Sequence, residues 1–449
     1  MPKEVVIAGA GLAGSLLAII LSKKSYKVSV YEKRPDMRRT AMDGGRSINL
    51  ALSERGIKAL NQAGVMDKIL PICIPMHGRV IHLANGQKTF QPYGKKGQYI
   101  NSVSRGDLNK ILLDEAEANG VSVFFDRPCT NIDWQKRLAS FKENNQIVNH
   151  NFDLLFGADG AYANTRLQLQ LHSERFDYHQ FYIDFGYKEL HIPPSAKGDF
   201  QMEKNALHIW PRKNYMLIAL PNMDGSFTCT LFFPYKGEVS YENLKTDQQV
   251  SSFFKENFPD AFQLMPGLLH DFFINPTSPM VTVKCFPWSK DNCFALIGDA
   301  AHAMVPFFGQ GMNCAFEDCR ILSDLINQSD GNWETILENY QALRKPDADA
   351  IADMALENFI EMRDKVSDEK FLLQKKIEIA FAQKYPEKWI PAYGLVTFQP
   401  YIRYSEALRR SKVQQRIMDQ IMKIPEIDAK WNSQEVFDSI LQSLQKTDN

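Results

Sequence analysis

The chain has 449 residues, of which 44% are hydrophobic and 23% are charged, and its formal net charge is -1. This length allows two or three domains with well-formed cores, and the near-neutral charge excludes a global field that favours nucleic acid or an anionic membrane. The seven cysteines include no C-x-x-C pair, and no apolar run reaches the roughly 20 residues that cross a bilayer. We therefore expect a cytoplasmic protein without a membrane span.

The first residues predict a β-α-β unit with a dinucleotide-binding turn. "KEVVIA" (3–8) is typical of a buried strand, "GSLLAIILSKK" (14–24) of an apolar helix, and "KVSVYEK" (27–33) of a second strand. The turn "GAGLAG" has the G-x-G-x-x-G spacing with Gly9, Gly11 and Gly14. These glycines allow a pyrophosphate to approach the helix N-terminus, and Glu32, 23 residues after Gly9, is placed to accept from ribose hydroxyls. An acid there favours NAD or FAD over NADP.

The rest of the chain alternates between strand-rich and helical stretches. Residues 98–125 predict a helix between extended flanks, and "FDLLFGADGAYANTR" (152–166) predicts a strand that enters a glycine-rich turn. Residues 180–234 are typical of antiparallel strands, and nearly everything after Gly311 is typical of helices. We predict an α/β fold (α+β overall) with a Rossmann-like FAD-binding domain, an inserted antiparallel β-sheet domain and a C-terminal helical segment. The predicted domains are 1–70, 97–179 and 280–345 for the dinucleotide, 71–96 and 180–279 for the substrate, and 346–449 for the helices.

A third motif identifies the dinucleotide. "GDAAHAMVPFFGQGMN" (298–313) joins an acid, a proline-aromatic turn and two glycines, and together with "FGADGAYANTR" (156–166) it resembles the single-component FAD-dependent aromatic hydroxylases. In that family the Asp of this motif, here Asp299, binds the ribityl chain. The helix-terminal amides that face the flavin N1–C2=O edge would be those of Gly311, Met312 and Asn313. Helix N-terminal amides stabilise the negative charge of a reduced flavin there. No residue for covalent attachment is evident, so FAD is expected to bind non-covalently, and His302 is interpreted as a packed structural histidine.

Several segments are similar, more specifically, to the kynurenine 3-monooxygenase family. These segments include "GRSINLALSERG" (45–56), "GRVIHLANG" (78–86), "VPFFGQGMN" (305–313) and "IPAYGLVTFQPYIRY" (390–404). The resemblance implies FAD contacts at Ala13, Glu32, Arg34, Ala51, Arg105, Asp299, Met312 and Asn313, with a backbone contact at Cys129. It implies substrate contacts at Arg79, Tyr93, Asn358 and Tyr393, with Phe307 or Phe308 in an aromatic wall.

The implied reaction is the hydroxylation of L-kynurenine. NADPH reduces FAD, the reduced flavin reacts with O2 to give a C4a-hydroperoxide, and its distal oxygen enters the ring ortho to the amine. The product is 3-hydroxy-L-kynurenine, a step in tryptophan degradation and in quinolinate and NAD biosynthesis. Arg79 and Tyr93 lie 14 residues apart around "NGQ" (85–87), so a hairpin can bring a guanidinium and a phenol onto the substrate carboxylate. Pro306 and the two phenylalanines would exclude water, and no residue is assigned as acid or base.

Two other functions stay open at this point. A hydroxylase of another aromatic acid or phenol would share the three flavin motifs and differ in the four substrate residues. A flavin-bearing interaction module would need a further binding domain or a long linker, and no such segment is evident. A flavin halogenase would need a W-x-W-x-I-P motif, which "HIWPRK" (208–213) is not. The basic stretch 402–423 is interpreted as a docked helix with a solvated face, and the oligomeric state is not predicted.

Overall fold

The computed structural model describes residues 3–39, 49–95, 97–364 and 368–447. Residues 45–48 of the segment "GRSINLALSERG" therefore lie outside the described residues.

The described strands are, in chain order, β1 (Glu4–Ala8), β2 (Lys27–Tyr31), β3 (Asn49–Leu52), β4 (Cys73–Met76), β5 (Gly78–His82), β6 (Lys88–Pro92), β7 (Ile100–Ser104), β8 (Ser122–Phe124), β9 (Cys129–Asp133), β10 (Leu138–Glu143), β11 (Gln146–Asn151), β12 (Leu154–Gly157), β13 (Asp177–Ile192), β14 (Ala206–Arg212), β15 (Tyr215–Pro221), β16 (Phe227–Pro234), β17 (Ser278–Phe286), β18 (Ser289–Lys290) and β19 (Phe294–Leu296). The described α-helices are α1 (Leu12–Lys23), α2 (Glu54–Ala63), α3 (Met66–Ile69), α4 (Arg105–Ala118), α5 (Asn164–Leu171), α6 (Asp247–Asn257), α7 (Pro259–Gln263), α8 (Leu268–Ile274), α9 (Asp299–His302), α10 (Gly311–Gln328), α11 (Trp333–Asp364), α12 (Glu369–Lys384), α13 (Ala392–Thr397), α14 (Tyr404–Ile421), α15 (Ile427–Lys430) and α16 (Gln434–Thr447). Short 3-10 turns cover Leu70–Ile72 and Pro306–Phe308.

The dinucleotide-binding half is built on a six-stranded sheet in the order β18-β19-β12-β1-β2-β8. Strand β1 pairs in parallel with β12 and β2, so the first strand of the chain is central. Helix α1 buries every residue from Gly14 to Leu21 between this sheet and helices α4 and α10, which explains why its sequence is apolar on all sides. The predicted β-α-β unit is confirmed.

A seven-stranded sheet forms the second half, in the order β17-β13-β16-β15-β14-β5-β6. All of its pairs are antiparallel except β14 with β5. The hairpin β5–β6 places Arg79 opposite Gln91, so the predicted hairpin between Arg79 and Tyr93 is present. Strands β5 and β6 reach this sheet from a distant part of the chain, whereas β4 pairs with β7 in a three-stranded sheet with β3.

The three largest hydrophobic cores of the described residues hold these layers together. The largest lies around the six-stranded sheet, the second lies between the seven-stranded sheet and α6–α8, and the third joins α12, α14 and α16. Helix α14 buries Ile417, Met418 and Ile421 in the third core, which agrees with a docked helix. Full burial of one such side chain contributes roughly 1.5–3 kcal/mol. Within the described parts of the chain, no helix has the length and apolar character required to cross a membrane.

Candidate active site

One cavity of about 1600 Å³ connects the β1–α1 turn to the C-terminal helices. It passes along one face of the seven-stranded sheet and ends among α11, α12 and α14. Pockets for a single small ligand usually measure about 300–1,000 Å³, so this cavity has room for a dinucleotide and a second, smaller molecule.

At the dinucleotide end, the glycines of the turn have different roles. A Cβ atom on Gly9, whose φ is +108°, would lie 2.3 Å from the carbonyl oxygen of Ala158, and one on Gly14 would lie 2.0 Å from the carbonyl oxygen of Gly9. A Cβ on Gly11 would meet nothing within 4 Å. Gly9 and Gly14 are therefore required by the fold itself. Gly11 faces an open cradle beside the first amides of α1, which have no intrahelical acceptor and suit a pyrophosphate.

Glu32 follows β2 directly and is almost completely buried at the cavity wall. Its carboxylate accepts hydrogen bonds from the Ala10 amide at 2.8 Å and from Nε of Arg34 at 2.9 Å. Burial opposes the charged form, but these bonds outweigh it, so the pKa of Glu32 lies below its usual value. A charged acceptor at this place fits a ribose diol.

The start of α10 forms the wall near the centre of the cavity. Asn313 is fully buried behind this wall, where its Nδ2 donates to the carbonyl of Ala51 at 2.9 Å and its Oδ1 accepts from the Ser53 amide at 2.9 Å. Asn313 thus joins α10 to the β3–α2 turn. The predicted FAD contacts that line the cavity are Gly9, Gly11, Ala13, Glu32, Arg34, Ala51, Arg105, Cys129, Asp299, Gly311 and Met312. Gly14 packs behind the turn instead.

Where the cavity passes along the seven-stranded sheet, the guanidinium of Arg79 contacts two tyrosine rings. Its guanidinium carbon lies 4.4 Å from the ring centroid of Tyr393 and 5.1 Å from that of Tyr93, and the two rings stack with centroids 5.4 Å apart. Nε of Arg79 and the hydroxyl of Tyr93 are buried without a hydrogen-bond partner among the described residues. Burial raises the pKa of Tyr93, so its phenol stays neutral and able to donate. We call Arg79, Tyr93 and Tyr393 the arginine cluster.

Only two of the three residues of the arginine cluster line the cavity. Arg79 and Tyr393 line it, whereas Tyr93 supports both from behind. Asn358 lines the cavity from α11, and its Nδ2 donates to the carbonyl of Phe307 at 2.7 Å. Asn358 therefore also holds the aromatic turn in place.

The wall between the two ends is apolar. Phe307 packs against Phe232 and Phe359 with ring centroids 5.1 and 4.7 Å apart, and Phe308 stacks with Tyr393. The sheet contributes a larger apolar surface that the sequence motifs did not identify. It consists of Ile81, Leu207, Ile209, Met216, Ile218, Leu220 and Phe232. The period-two spacing of Leu207 and Ile209, and of Met216, Ile218 and Leu220, is the signal that could have identified this face.

His302 lies in α9 and is almost completely buried. Its Nε2 lies 2.6 Å from Oδ2 of Asp318, and Arg344 donates to the other carboxylate oxygen of Asp318 at 2.7 Å. Burial opposes protonation of the imidazole, but the Asp318 carboxylate outweighs it, so the pKa of His302 is held well above its usual value. This agrees with a structural histidine.

Comparison with known proteins places the chain in a class. Residues 3–355 match the FAD binding domain family. The tetrameric form of 2-methyl-3-hydroxypyridine-5-carboxylic acid oxygenase superposes with a TM-score of 0.66 at 20% identity, over 81% of this chain and 94% of that one. PqsL of Pseudomonas aeruginosa, solved with 2-aminobenzoylacetate, has a TM-score of 0.66 at 17% identity, over 81% and 97% of the two chains. The matched family therefore defines an FAD-binding protein, and the solved structures show that it shares its fold with these proteins.

Relatives with higher sequence identity define the family more specifically. The kynurenine 3-monooxygenase of Flavobacterium psychrophilum is 50% identical over 444 residues, 98% of each chain. That of Dictyostelium discoideum is 44% identical over 437 residues, 94% of this chain and 93% of the relative. The chain belongs to the kynurenine 3-monooxygenase family, which confirms the predicted family, the fold and the FAD cofactor.

Proposed function

We propose that the protein hydroxylates L-kynurenine to 3-hydroxy-L-kynurenine in the cytoplasm, with non-covalent FAD as cofactor and with NADPH and O2 as co-substrates. Family membership supports this proposal, and the single structural observation behind it is the arginine cluster. A buried cation with an unpartnered donor lines the apolar part of a cavity that is continuous with the dinucleotide turn. An aromatic amino acid has the complementary chemistry, with a carboxylate for the cation and a ring for the apolar wall.

Bound FAD would supply the activation of O2 with electrons from NADPH, so that one oxygen atom of O2 enters the ring and the other leaves as water. The dinucleotide would be held by the β1–α1 turn, by Glu32 and by the start of α10. A negative charge on the flavin would be stabilised by the N-terminal amides of α10, because the first turn of a helix leaves its N–H groups without intrahelical acceptors. Asp299 lines the cavity beside this helix and suits a hydroxyl-rich chain.

At the substrate end, the guanidinium of Arg79 would bind the carboxylate through charge-assisted hydrogen bonds, while the ring of Tyr93 supports the guanidinium from outside the cavity lining. Tyr393 stacks with Tyr93 and contacts the guanidinium next to it. The sheet face and the turn Pro306–Phe308 would hold the ring and exclude water, because water near the reacting oxygen favours its loss as H2O2. The aryl amine already activates the ring, so the reaction needs positioning more than a catalytic acid or base.

The test uses the purified holoprotein. NADPH oxidation is followed with and without L-kynurenine, and the product is identified by mass. We expect kynurenine-dependent oxidation and a product that is heavier by one oxygen atom. Stimulation by a benzoate or a phenol, without turnover of kynurenine, would instead indicate another aromatic hydroxylase. A response to no aromatic substrate would indicate the interaction module.

A further inference from the structure

Arg55 is a buried arginine at the start of α2 that lies in the segment 45–56, where the sequence predicted no role for it. Only 1% of its surface is exposed. Its Nε donates to the carbonyl of Val396 at 2.8 Å, and its Nη2 donates to the carbonyls of Gln399, at 3.2 Å, and Ile402. These acceptors lie at the end of α13 and in the segment that follows it. Arg55 therefore fixes the end of the short helix that contains Tyr393.

The other side of α2 is tied to the flavin-binding loops. Ser53, directly before α2, donates its amide to Asn313, and Asn313 donates to the carbonyl of Ala51 at the cavity wall. A Cβ on Gly56 would lie 2.5 Å from Oδ1 of Asn313, so α2 and α10 approach without a gap. Displacement of α2 relative to the flavin wall would therefore break these contacts.

An arginine suits this position for a geometric reason. The last carbonyls of α13 have no intrahelical donor, and a cation at a helix C-terminus is favourable. Nε and Nη2 of the guanidinium donate to these carbonyls, while Nη1 donates to Glu317 at 2.9 Å. The three N–H groups of a lysine all extend from one nitrogen atom, so they cannot reach the same set of acceptors. The second oxygen of Glu317 accepts from Arg344, so this carboxylate keeps a partner when Arg55 is replaced.

We infer that Arg55 is a positioning residue. By holding the end of α13 against α2, it fixes the position of Tyr393 relative to Arg79 and to the flavin wall. This inference rests on the proposed function, because Tyr393 belongs to the arginine cluster that would bind the kynurenine carboxylate. Arg55 itself does not line the cavity among the described residues. It acts through Tyr393.

The test compares Arg55→Lys with the wild-type holoprotein. The dissociation constant of L-kynurenine is measured from the change that it causes in the spectrum of oxidised FAD. We expect binding about three- to thirtyfold weaker, the range typical of residues that act through a neighbour. FAD content should stay normal, and the H2O2 formed per NADPH should rise. Binding of an analogue without the carboxylate should change little, because only the carboxylate site is displaced. Arg55→Gln, which keeps one amide donor, is the second variant.

A double-mutant cycle with Tyr393→Ala separates positioning from general weakening. If Arg55 acts through Tyr393, Arg55→Lys should have little further effect on kynurenine binding once the Tyr393 ring is absent. Arg344→Lys is the matched control, because it disturbs the same buried charges without touching the carbonyls of 396–402. It should lower the melting temperature and leave the dissociation constant within about twofold of wild type.

Additive effects in the cycle, or an equal loss of binding in Arg344→Lys, would overturn the inference. Kynurenine turnover by the wild type together with unchanged binding in both Arg55 variants would also overturn it and leave the proposed function intact. A wild-type holoprotein that neither binds nor oxidises kynurenine would overturn the proposed function instead.

Discussion

Arg79 is stabilised by aromatic faces instead of by a carboxylate. The ring centroids of both tyrosines in the arginine cluster lie within 5.1 Å of its guanidinium carbon, and no acidic side chain in the described parts of the chain forms an ion pair with it. Cation–π contacts compensate only part of the loss of hydration, since each contributes about 0.5–2 kcal/mol. The charge therefore remains available for an anionic ligand.

Replacing this charge tests the substrate assignment. Removing one partner of a buried charge pair costs roughly 2–5 kcal/mol. Arg79→Met should thus lower kcat/KM for L-kynurenine by about 30-fold to several thousand-fold in steady-state assays. Tyr93→Phe should cost less, because Tyr93 does not line the cavity and the variant keeps the ring that contacts the guanidinium. FAD content should stay normal in both variants.

The control for both variants is a kynurenine analogue without the carboxylate. It should be a poor substrate for the wild type and should lose little more in Arg79→Met. If the analogue loses as much activity as kynurenine does, Arg79 supports the fold and does not bind the carboxylate.

A second residue, His302, gives a pH-dependent prediction. Its pKa in the folded protein lies well above the ordinary 6.5, so the stability that it contributes is fully present below pH 6.5 and is lost as the pH rises through the folded value. The loss can reach about 1.4 kcal/mol per pH unit. His302→Gln keeps a hydrogen-bond donor for Asp318 but cannot titrate. Urea unfolding at pH 6, 7.5 and 9 should show the wild-type advantage shrinking with pH, and a constant difference would contradict this reading.

At the scale of elements, two glycines of the β1–α1 turn have different roles: Gly14 serves the fold, and Gly11 serves ligand binding. A Cβ on Gly14 would collide with the backbone of Gly9, whereas one on Gly11 would enter open space. Gly14→Ala should therefore lower the melting temperature of the apoprotein. Gly11→Ala should leave that temperature unchanged and weaken FAD, because overpacking at a contact costs about 1–3 kcal/mol, or roughly 5- to 150-fold in affinity. Equal effects of both variants on the apoprotein would show that Gly11 also serves the fold.

The same turn shows how much the sequence could predict. Gly9, Gly14 and Glu32 act within a local strand-turn-helix unit, so spacing and periodicity were sufficient to place them. The hairpin that contains Arg79 was also local. The wall opposite the flavin site was not, because it depends on β5 pairing with β14, more than a hundred residues away. Arg55 was missed for the same reason, since its acceptors follow it by more than 340 residues.

For the whole molecule, the important fact is that distant parts of the chain share one cavity. The dinucleotide turn, the face of the seven-stranded sheet and the C-terminal helices all contribute to its lining. The cavity exceeds what a small ligand needs, so a molecule of kynurenine alone would leave one side of its site open. Bound FAD would provide the missing wall. The two ligands should therefore be linked thermodynamically.

This linkage can be measured by thermal unfolding. A ligand that binds only the folded state stabilises it by RT ln(1 + [L]/Kd), about 2.7 kcal/mol at a hundredfold excess over Kd. Kynurenine should accordingly raise the melting temperature of the holoprotein and have little effect on the FAD-free protein, which lacks one wall of the site. The Arg79→Met holoprotein should respond weakly, because FAD is present but the carboxylate has lost its partner. By reciprocity, kynurenine should lower the dissociation constant of FAD by the same factor by which FAD lowers that of kynurenine. If kynurenine stabilises the FAD-free protein as much as the holoprotein, its site does not include the flavin, and the arrangement of the two ligands along the cavity is wrong.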